Sequence, residues 1–188
     1  MTKLIIGMII LFGGHLLLYT PLRPRLKQRL GEGPFKGLFS IVALIGLALM
    51  IWGWSSTRAG PEAANILYWP PEWARHAAML LVLLGFLSLA ASFHKGRLKL
   101  WLKNPMSIGI ALWAAGHLLA NGAVADVLLF GGFLGLALID IAVSTAQGKV
   151  PHYVPKPRHD AISIVAGLLL FAFFLFVFHP YVLNVPVA

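Results

Sequence analysis

The sequence predicts an all-α protein, a polytopic membrane helical bundle with about six transmembrane helices and both termini outside the cytoplasm. Of its 188 residues, 59% are hydrophobic and only 11% are charged, whereas a soluble domain carries about a quarter charged residues. The mean hydropathy is +0.84. The apolar residues form long runs, and the basic residues lie in the short segments between them. We expect a single transmembrane domain over residues 1–188.

Six apolar runs define the predicted helices, and they cover roughly residues 3–20, 37–55, 74–94, 105–121, 123–143 and 160–183. Each run is near the ~20 residues that a helix needs to cross ~30 Å of hydrocarbon. A backbone within lipid must satisfy its own hydrogen bonds, and no run alternates like a strand, so helices are expected throughout. Pro105 suits the first turn of the fourth helix, where its missing N–H costs nothing.

Basic residues set the predicted orientation, because twelve of the fifteen lie in the loops after the first, third and fifth helices. These twelve are Arg23, Arg25, Lys27, Arg29, Lys36, Lys95, Arg97, Lys99, Lys103, Lys149, Lys156 and Arg158. Only Lys3, Arg58 and Arg75 lie on the other side. The positive-inside tendency therefore places the three basic loops in the cytoplasm. The net charge of +9 follows from this topology, so contact with the anionic lipid bilayer is expected and nucleic-acid binding is not.

Histidines are the candidate functional residues, because the chain has seven of them and no cysteine. Without cysteine there are no disulfides, thiolate ligands or iron–sulfur sites. His94, His152 and His159 lie at or in the cytoplasmic loops and are expected to be solvated. His76 and His179 lie near the outer ends of the third and sixth helices, where we expect an interfacial role, with His76 as a reserve candidate for a metal ligand.

Two histidines lie well inside apolar runs: His15 in LIIGMIILFGGHLLLYT and His117 in NPMSIGIALWAAGHLLANG. An ionisable side chain at such a position is expensive and indicates function by default. Each lies about 12 residues along its helix, or about 18 Å from the surface where that helix begins. Because the two helices run in opposite directions, the two depths differ by only about 6 Å across a ~30 Å core. The histidines can therefore face each other across a planar cofactor.

Haem is the cofactor that this pair favours, because haem needs only axial ligands and apolar walls. No Asp, Glu or Cys accompanies the two histidines at their depth, which argues against a zinc or di-iron carboxylate site. The alternative is that each histidine makes an interhelical hydrogen bond, worth about 0.6 kcal/mol on average.

Small and aromatic residues near the two histidines have two possible roles. Trp113 precedes the fourth-helix histidine by one turn on the same face, where it would line a cofactor or pack against lipid or another helix. Gly14 and Gly116 either leave room for a flat ligand or allow close helix packing. Gly131 and Gly135 form a GxxxG pair for which helix contact is expected.

Several segments together resemble the bacterial NnrU family. These are FGGHLLL around His15, GEGPFKGLFSIVALIGL (Gly31 to Leu47), PPEWARHAAMLLVLLGF (Pro70 to Phe86), NPMSIGIALWAAGHLLANG (Asn104 to Gly122) and LLFGGFLGLALID (Leu128 to Asp140). The resemblance covers residues 4 to about 145 in order, spacing and helix placement, and residues after 150 match only loosely.

The resemblance implies a protein of the bacterial inner membrane that is linked to nitrite and nitric oxide metabolism in denitrification. The family is related to the plant 15-cis-zeta-carotene isomerase, a membrane haem b enzyme, which implies that His15 and His117 are axial ligands of the iron. The family usually has His-Pro-Met where this chain has Asn at position 104, so that position has no axial role here. Ala114 stands where the plant isomerase has a cysteine, so this chain cannot exchange a thiolate for an imidazole.

Three function hypotheses stay open. The first is a haem b protein that handles nitrogen oxides as a sensor, carrier or accessory and binds nitric oxide. The second is an enzyme, a haem-dependent cis–trans isomerase of a carotenoid-like polyene in the bilayer. The third is a structural or assembly membrane protein without a cofactor. A membrane methyltransferase is disfavoured because the cytoplasmic side offers few acidic residues, and no catalytic residue can be named from the sequence.

Overall fold

The computed structural model of the chain describes residues 1–185, which fold into helices joined by short loops. The helices are α1 (Thr2–Leu17), α2 (Leu22–Leu30), α3 (Glu32–Arg58), α4 (Ala74–Ser92), α5 (Arg97–Leu102), α6 (Pro105–Ala120), α7 (Val124–Ala146) and α8 (Pro157–Phe173). A 3₁₀ turn (Pro61–Ala64) follows α3, and α8 continues into a π-helical segment (Phe174–Val182). The all-α prediction is therefore confirmed for the described residues.

Apolar helices occur at all six predicted positions, but they differ in length. Four are long and apolar enough to cross a membrane: α3, α4, α7, and α8 together with its π-helical continuation. Helix α1 has 16 residues and is followed by α2 after an 88° bend. A fifth membrane span exists only if α1 and α2 together form one bent span. Helix α6 also has 16 residues, about 24 Å at 1.5 Å per residue.

The end of α1 differs from the predicted run over residues 3–20, and proline explains the difference. Pro21 has no N–H to continue the helical ladder, and it disfavours helical geometry at Thr20. The Thr20 hydroxyl donates instead to the carbonyl oxygen of Leu17 at 2.8 Å, which satisfies an acceptor at the helix end. The basic segment after the bend then forms its own helix, α2.

Contacts between Cα atoms divide the chain into two compact units. The first unit comprises residues 1–70 and 121–136, and it pairs α1 with α3 in antiparallel fashion. Glycine makes the close approach possible: a Cβ added to Gly7 would lie 2.5 Å from the backbone nitrogen of Met50, and one on Gly46 would lie 2.8 Å from that of Leu11. Backbones can approach this closely only where side chains are minimal.

The first half of α7 completes the core of this unit. Leu4, Leu11, Met50 and Ala125 form its buried apolar cluster. Asp126, at the start of α7, is only 5% exposed. Its carboxylate accepts a hydrogen bond from the indole nitrogen of Trp54 at 2.6 Å, so this buried oxygen is satisfied by α3.

The second unit comprises residues 71–120 and 137–188, of which the structure describes those up to 185. Helices α4 and α6 pack antiparallel, and a Cβ on Gly85 would lie 2.9 Å from the carbonyl oxygen of Gly109. The buried Ser88 hydroxyl donates to the carbonyl oxygen of Pro105 at 2.7 Å. Helix α8 also packs on α4, with the Phe86 and Phe174 rings 5.1 Å apart between centroids.

Candidate functional site

His15 lies on α1, near the end of that helix and within the first unit. Its ring is partly buried, and Nδ1 lies 2.7 Å from the carbonyl oxygen of Leu11, four residues earlier. The Phe39 ring of α3 meets the imidazole edge-on, with centroids 5.1 Å apart. The prediction that an apolar helix holds this histidine is therefore confirmed, and an aromatic side chain lies beside it.

His117 lies on α6, within the second unit. Its Nδ1 is 2.8 Å from the carbonyl oxygen of Trp113, again four residues earlier. The indole ring of Trp113 lies beside the imidazole, with centroids 4.9 Å apart and planes tilted by 50°. The sequence placed Trp113 on the face of His117, and the structure confirms that contact.

These backbone contacts fix how each imidazole is protonated. A carbonyl oxygen can only accept, so Nδ1 must carry the proton and donate it. In the neutral ring Nε2 is then the basic nitrogen, and the ring is held at a defined angle. Histidines that bind metals in proteins usually donate their other N–H to a carbonyl or carboxylate in this way. His15 and His117 thus have the tautomer that suits a metal ligand.

His179, for which the sequence predicts an interfacial role, shares this arrangement, and its contact with His117 was not predicted. Its Nδ1 lies 2.6 Å from the carbonyl oxygen of Phe174, five residues earlier, because this part of the chain is π-helical. The His117 and His179 rings lie within one unit, with centroids 6.1 Å apart and planes at 22°. The signal was present, since residue 179 lies inside the predicted run 160–183.

The two glycines assigned to the cofactor have different surroundings. A Cβ on Gly14 would meet only the Phe39 ring, at 4.0 Å, so the structure leaves space beside His15. A Cβ on Gly116 would lie 2.9 Å from the carbonyl oxygen of Ala78, so Gly116 serves the contact between α6 and α4. A role for either glycine toward a cofactor stays a prediction.

The predicted GxxxG contact on α7 is not found among the described residues. A Cβ on Gly131 or Gly135 would meet no atom within 4 Å. The close approach is made by Gly132, whose Cβ would collide with the rings and methyl groups of Phe12 and Met8. The motif identified a glycine-rich helix correctly, but it indicated the wrong face.

Three further histidines lie at or near the ends of helices. His76 is exposed at the third residue of α4, so the reserve candidate sits at a helix end. His94 and His159 lie at the other end of α4, with ring centroids 6.0 Å apart. Within residues 1–185, no three His, Cys, Asp or Glu side chains are grouped so as to hold a metal ion. Haem does not need such a group, because the porphyrin supplies the equatorial ligands and the protein only axial ones.

A polar cluster joins the start of α6 to α7. Asp140 Oδ2 accepts hydrogen bonds from Asn104 Nδ2 at 2.6 Å and from the Ser107 hydroxyl at 2.5 Å. The side-chain oxygen Oδ1 of Asn104 accepts a hydrogen bond from the Ser107 backbone N–H at 3.4 Å, as the side chain of an N-cap residue does. Asn104 thus has a structural role at the start of α6.

The apolar helices and their few buried polar groups define a helical membrane protein. A family sequence model described as NnrU protein matches residues 3–187. The chain therefore belongs to the NnrU family. The match extends beyond residue 145 and so includes α8, although the motifs after residue 150 resemble the family only loosely. No curated protein and no solved structure matches the chain.

His15 lies in the first unit and His117 in the second. Their pairing across one cofactor stays a prediction. Within its own unit, each imidazole donates its Nδ1 proton to a backbone carbonyl oxygen of its own helix, and each ring lies beside an aromatic side chain.

Proposed function

We propose that this NnrU-family protein is an integral haem b-binding protein of the bacterial inner membrane, linked to nitrite and nitric oxide metabolism. His117 and His15 are the proposed axial ligands. The observation that carries the proposal is that both imidazoles, inside apolar helices, donate Nδ1–H to a backbone carbonyl. That bond leaves the basic Nε2 as the nitrogen to bind iron.

The donor set fits haem in a second respect. Ala114 lies one turn before His117 and is fully buried, and a methyl group offers no ligand atom. The chain has no cysteine, so a thiolate ligand is excluded, and we propose imidazoles as the protein's ligands to the iron. When bound, haem would supply an iron centre that can bind small ligands such as nitric oxide.

The residues of this chain would hold and shield that group. The Trp113 ring beside His117 and the Phe39 ring beside His15 are flat apolar surfaces that exclude water from the imidazoles. Low polarity around an axial ligand affects the reduction potential of the iron and its affinity for small ligands. The Nδ1 hydrogen bonds keep the rings from turning and so hold the ligand nitrogens in place.

Haem-dependent cis–trans isomerisation of a carotenoid-like polyene remains the alternative activity. It would use the same histidines, so the experiment that separates the two functions is addition of a cis-polyene to the haem-loaded protein. Nitric oxide should perturb the haem spectrum in either case. Only an isomerase should convert a cis-polyene in detergent micelles, as followed by chromatography.

The first test is an absorption spectrum of the detergent-purified protein, oxidised and dithionite-reduced. The wild type should show a Soret band and sharp reduced α and β bands, and His117→Ala should lose most of this absorbance. His152→Ala is the matched control, because His152 is exposed in the loop before α8, and it should keep the wild-type spectrum. A folded, colourless wild type made with ample haem would overturn the proposal and favour an assembly protein.

A further inference from the structure

A small cavity lies within the first unit, where α3 ends. Its volume is about 230 Å³, and it is bounded by the last residues of α3, the 3₁₀ turn and the start of α7. Pockets that hold drug-sized molecules have roughly 300–1,000 Å³, so this cavity suits a smaller ligand. Three charged side chains line it, namely Arg58, Glu62 and Asp126, and the ligand is therefore expected to be polar.

The walls of the cavity are held in place by the backbone. Ile66 and Ala123, which both line it, form an isolated antiparallel bridge. Beside that bridge, the Val124 N–H donates to the carbonyl oxygen of Asn65 at 2.9 Å. The loop after α3 is thus tied to the start of α7 before any ligand enters, and such preorganisation lowers the entropy cost of binding.

Asp126 is the buried charge of the cavity, at 5% exposure. Trp54 is the one hydrogen-bond donor to its carboxylate within residues 1–185, and the indole N–H binds Oδ1. A buried carboxylate is costly unless its oxygens are hydrogen-bonded. Oδ2 is therefore available to a donor in the cavity, and a cationic N–H group would make the strongest bond to it.

Arg58 supplies the opposite charge. Its guanidinium lies over the Trp54 ring, with 4.9 Å between Cζ and the ring centroid. It forms no ion pair with a carboxylate in the described part of the chain, and a guanidinium can bind two phosphate oxygens at once. Glu62 differs, because it is paired with the N-terminal ammonium of Met1 at 2.7 Å. The cavity therefore offers one cationic and one anionic group to a ligand.

The end of α3 lies at the level expected for lipid headgroups. Helix α3 is long and apolar enough to span a membrane, and two of its last residues line the cavity. Trp52 and Trp69 are 57% and 82% exposed, and Lys3 Nζ lies 3.7 Å from the centroid of the Trp52 ring. Exposed tryptophans and lysines that extend toward water are typical of the membrane–water interface. The predicted orientation makes this the outer interface.

We propose that the cavity binds the zwitterionic headgroup of a phosphatidylethanolamine from this leaflet. The phosphate pairs with Arg58, and the primary ammonium donates to Oδ2 of Asp126. A purely anionic headgroup would bring its charge toward the Asp126 carboxylate, and a quaternary ammonium has no N–H to donate to it. The site does not depend on the haem proposal, and it differs from the contact with anionic lipid that the net charge predicts.

Titration calorimetry of the detergent-purified protein with short-chain phosphatidylethanolamine tests the proposal. The wild type should bind this lipid at least about tenfold more tightly than short-chain phosphatidylcholine, because only the primary ammonium makes a charge-assisted hydrogen bond to Asp126. Arg58→Gln and Asp126→Asn should each lower the affinity about tenfold. Arg75→Gln and Glu72→Gln are the matched controls, since both residues are exposed and lie outside the cavity lining, and they should bind like the wild type.

Three outcomes would overturn the proposal. One is equal affinity of the wild type for the two lipids. Another is unchanged binding in Arg58→Gln, which alters an exposed side chain and so keeps the test valid if Asp126→Asn misfolds. The third is free phosphoethanolamine that binds as tightly as the lipid, which would assign the cavity to a soluble aminophosphate. Circular dichroism checks the helical content of each variant.

Discussion

Asn104 donates a hydrogen bond from Nδ2 to Oδ2 of Asp140, 2.6 Å away, and so connects the start of α6 to α7. The same carboxylate oxygen accepts the hydroxyl proton of the buried Ser107. Two polar groups at the end of an apolar helix are thus satisfied by one carboxylate. This relationship explains why the chain keeps an acidic residue so close to a membrane-spanning helix.

Asp140→Ala should destabilise the protein, because it leaves the Asn104 amide and the Ser107 hydroxyl without this acceptor. A buried donor without a partner costs about 1–3 kcal/mol, so we expect a loss of that order in the free energy of unfolding. Asp140→Asn keeps one carbonyl oxygen and should lose less. Thermal unfolding in detergent, followed by circular dichroism, measures both. Wild-type stability in Asp140→Ala would show that the cluster contributes nothing.

Gly85 is the residue whose enlargement should most clearly disrupt the pairing of α4 with α6. A Cβ there would lie 2.9 Å from the carbonyl oxygen of Gly109 and 3.1 Å from the nitrogen of Trp113. Gly85→Val should therefore force the helices apart, at a cost of about 1–3 kcal/mol. Under the haem proposal it should also weaken haem binding, since the shifted helix carries His117.

Gly131→Val is the matched control for this substitution. It has the same change in helix propensity, but no atom lies within 4 Å of its added Cβ. Its unfolding temperature should stay near that of the wild type. Equal destabilisation by the two variants would show that the loss comes from the helix backbone and not from the contact between α4 and α6.

The six apolar helices could be located from the sequence, because a long apolar run in lipid must satisfy its own backbone hydrogen bonds. The short helices α2 and α5 were not predicted. The positions of His15 and His117 inside such runs could be read in the same way. Pro21 and Pro24 carried a signal for the bend after α1, and the predicted run over residues 3–20 ended before both prolines but three residues beyond the end of the helix. A proline beside an apolar run is compatible with either a kink within the helix or the end of the helix, and the packing of the folded chain decides between the two.

Side-chain neighbours on different helices could not be predicted, because they depend on which face of each helix meets another. Gly131 and Gly135 have the spacing of a contact motif, yet Gly132 makes the contact. His179 lies 62 residues after His117 in the chain, and nothing in the spacing indicates that their rings come within 6.1 Å. The rotation that a π-helical turn adds is likewise invisible in an apolar run.

Asp160 should stabilise the short helix α5, because its carboxylate accepts the backbone N–H groups of Arg97 and Leu98, each at 2.9 Å. These are donors of the first turn that have no partner within the helix. Asp160→Ala should cost about 1 kcal/mol, as the loss of a cap does. Amide hydrogen exchange should then become faster over residues 97–102, with Asp160→Asn showing a smaller change.

Tyr153 provides the control for this loop. Its hydroxyl donates to the carbonyl oxygen of Gly96 at 2.8 Å. Burial raises the pKa of the Tyr153 hydroxyl above its ordinary value, and the nearby Asp160 charge raises it further, so the hydroxyl stays a neutral donor at neutral pH. Tyr153→Phe removes this bond and keeps the cap, so it should leave exchange at Leu98 slow. Equal acceleration in both variants would mean that the loop, and not the cap, protects α5.

The predicted topology can be tested directly because the chain has no cysteine. Arg25 is exposed on α2, in a basic segment expected on the cytoplasmic side, and Ala64 is exposed in the loop after α3. A membrane-impermeant maleimide should label Ala64→Cys on intact cells stripped of their outer membrane. Arg25→Cys should be labelled only after the inner membrane is broken. Labelling of Arg25→Cys from outside would reverse the assigned orientation.

The same labelling distinguishes the 88° bend after α1 from a continuous span. Leu22, Leu26 and Leu30 follow each other at four-residue intervals and so share one face of α2, with the basic residues at its borders and on the other faces. We expect such a helix to lie in the plane of the membrane surface, with its apolar face in the headgroup region. Cysteines at Arg25 and Arg29 should therefore both react in broken membranes. A cysteine at Leu26 should react about tenfold more slowly because lipid covers it, whereas equal rates at all three positions would mean that α2 stands free in water.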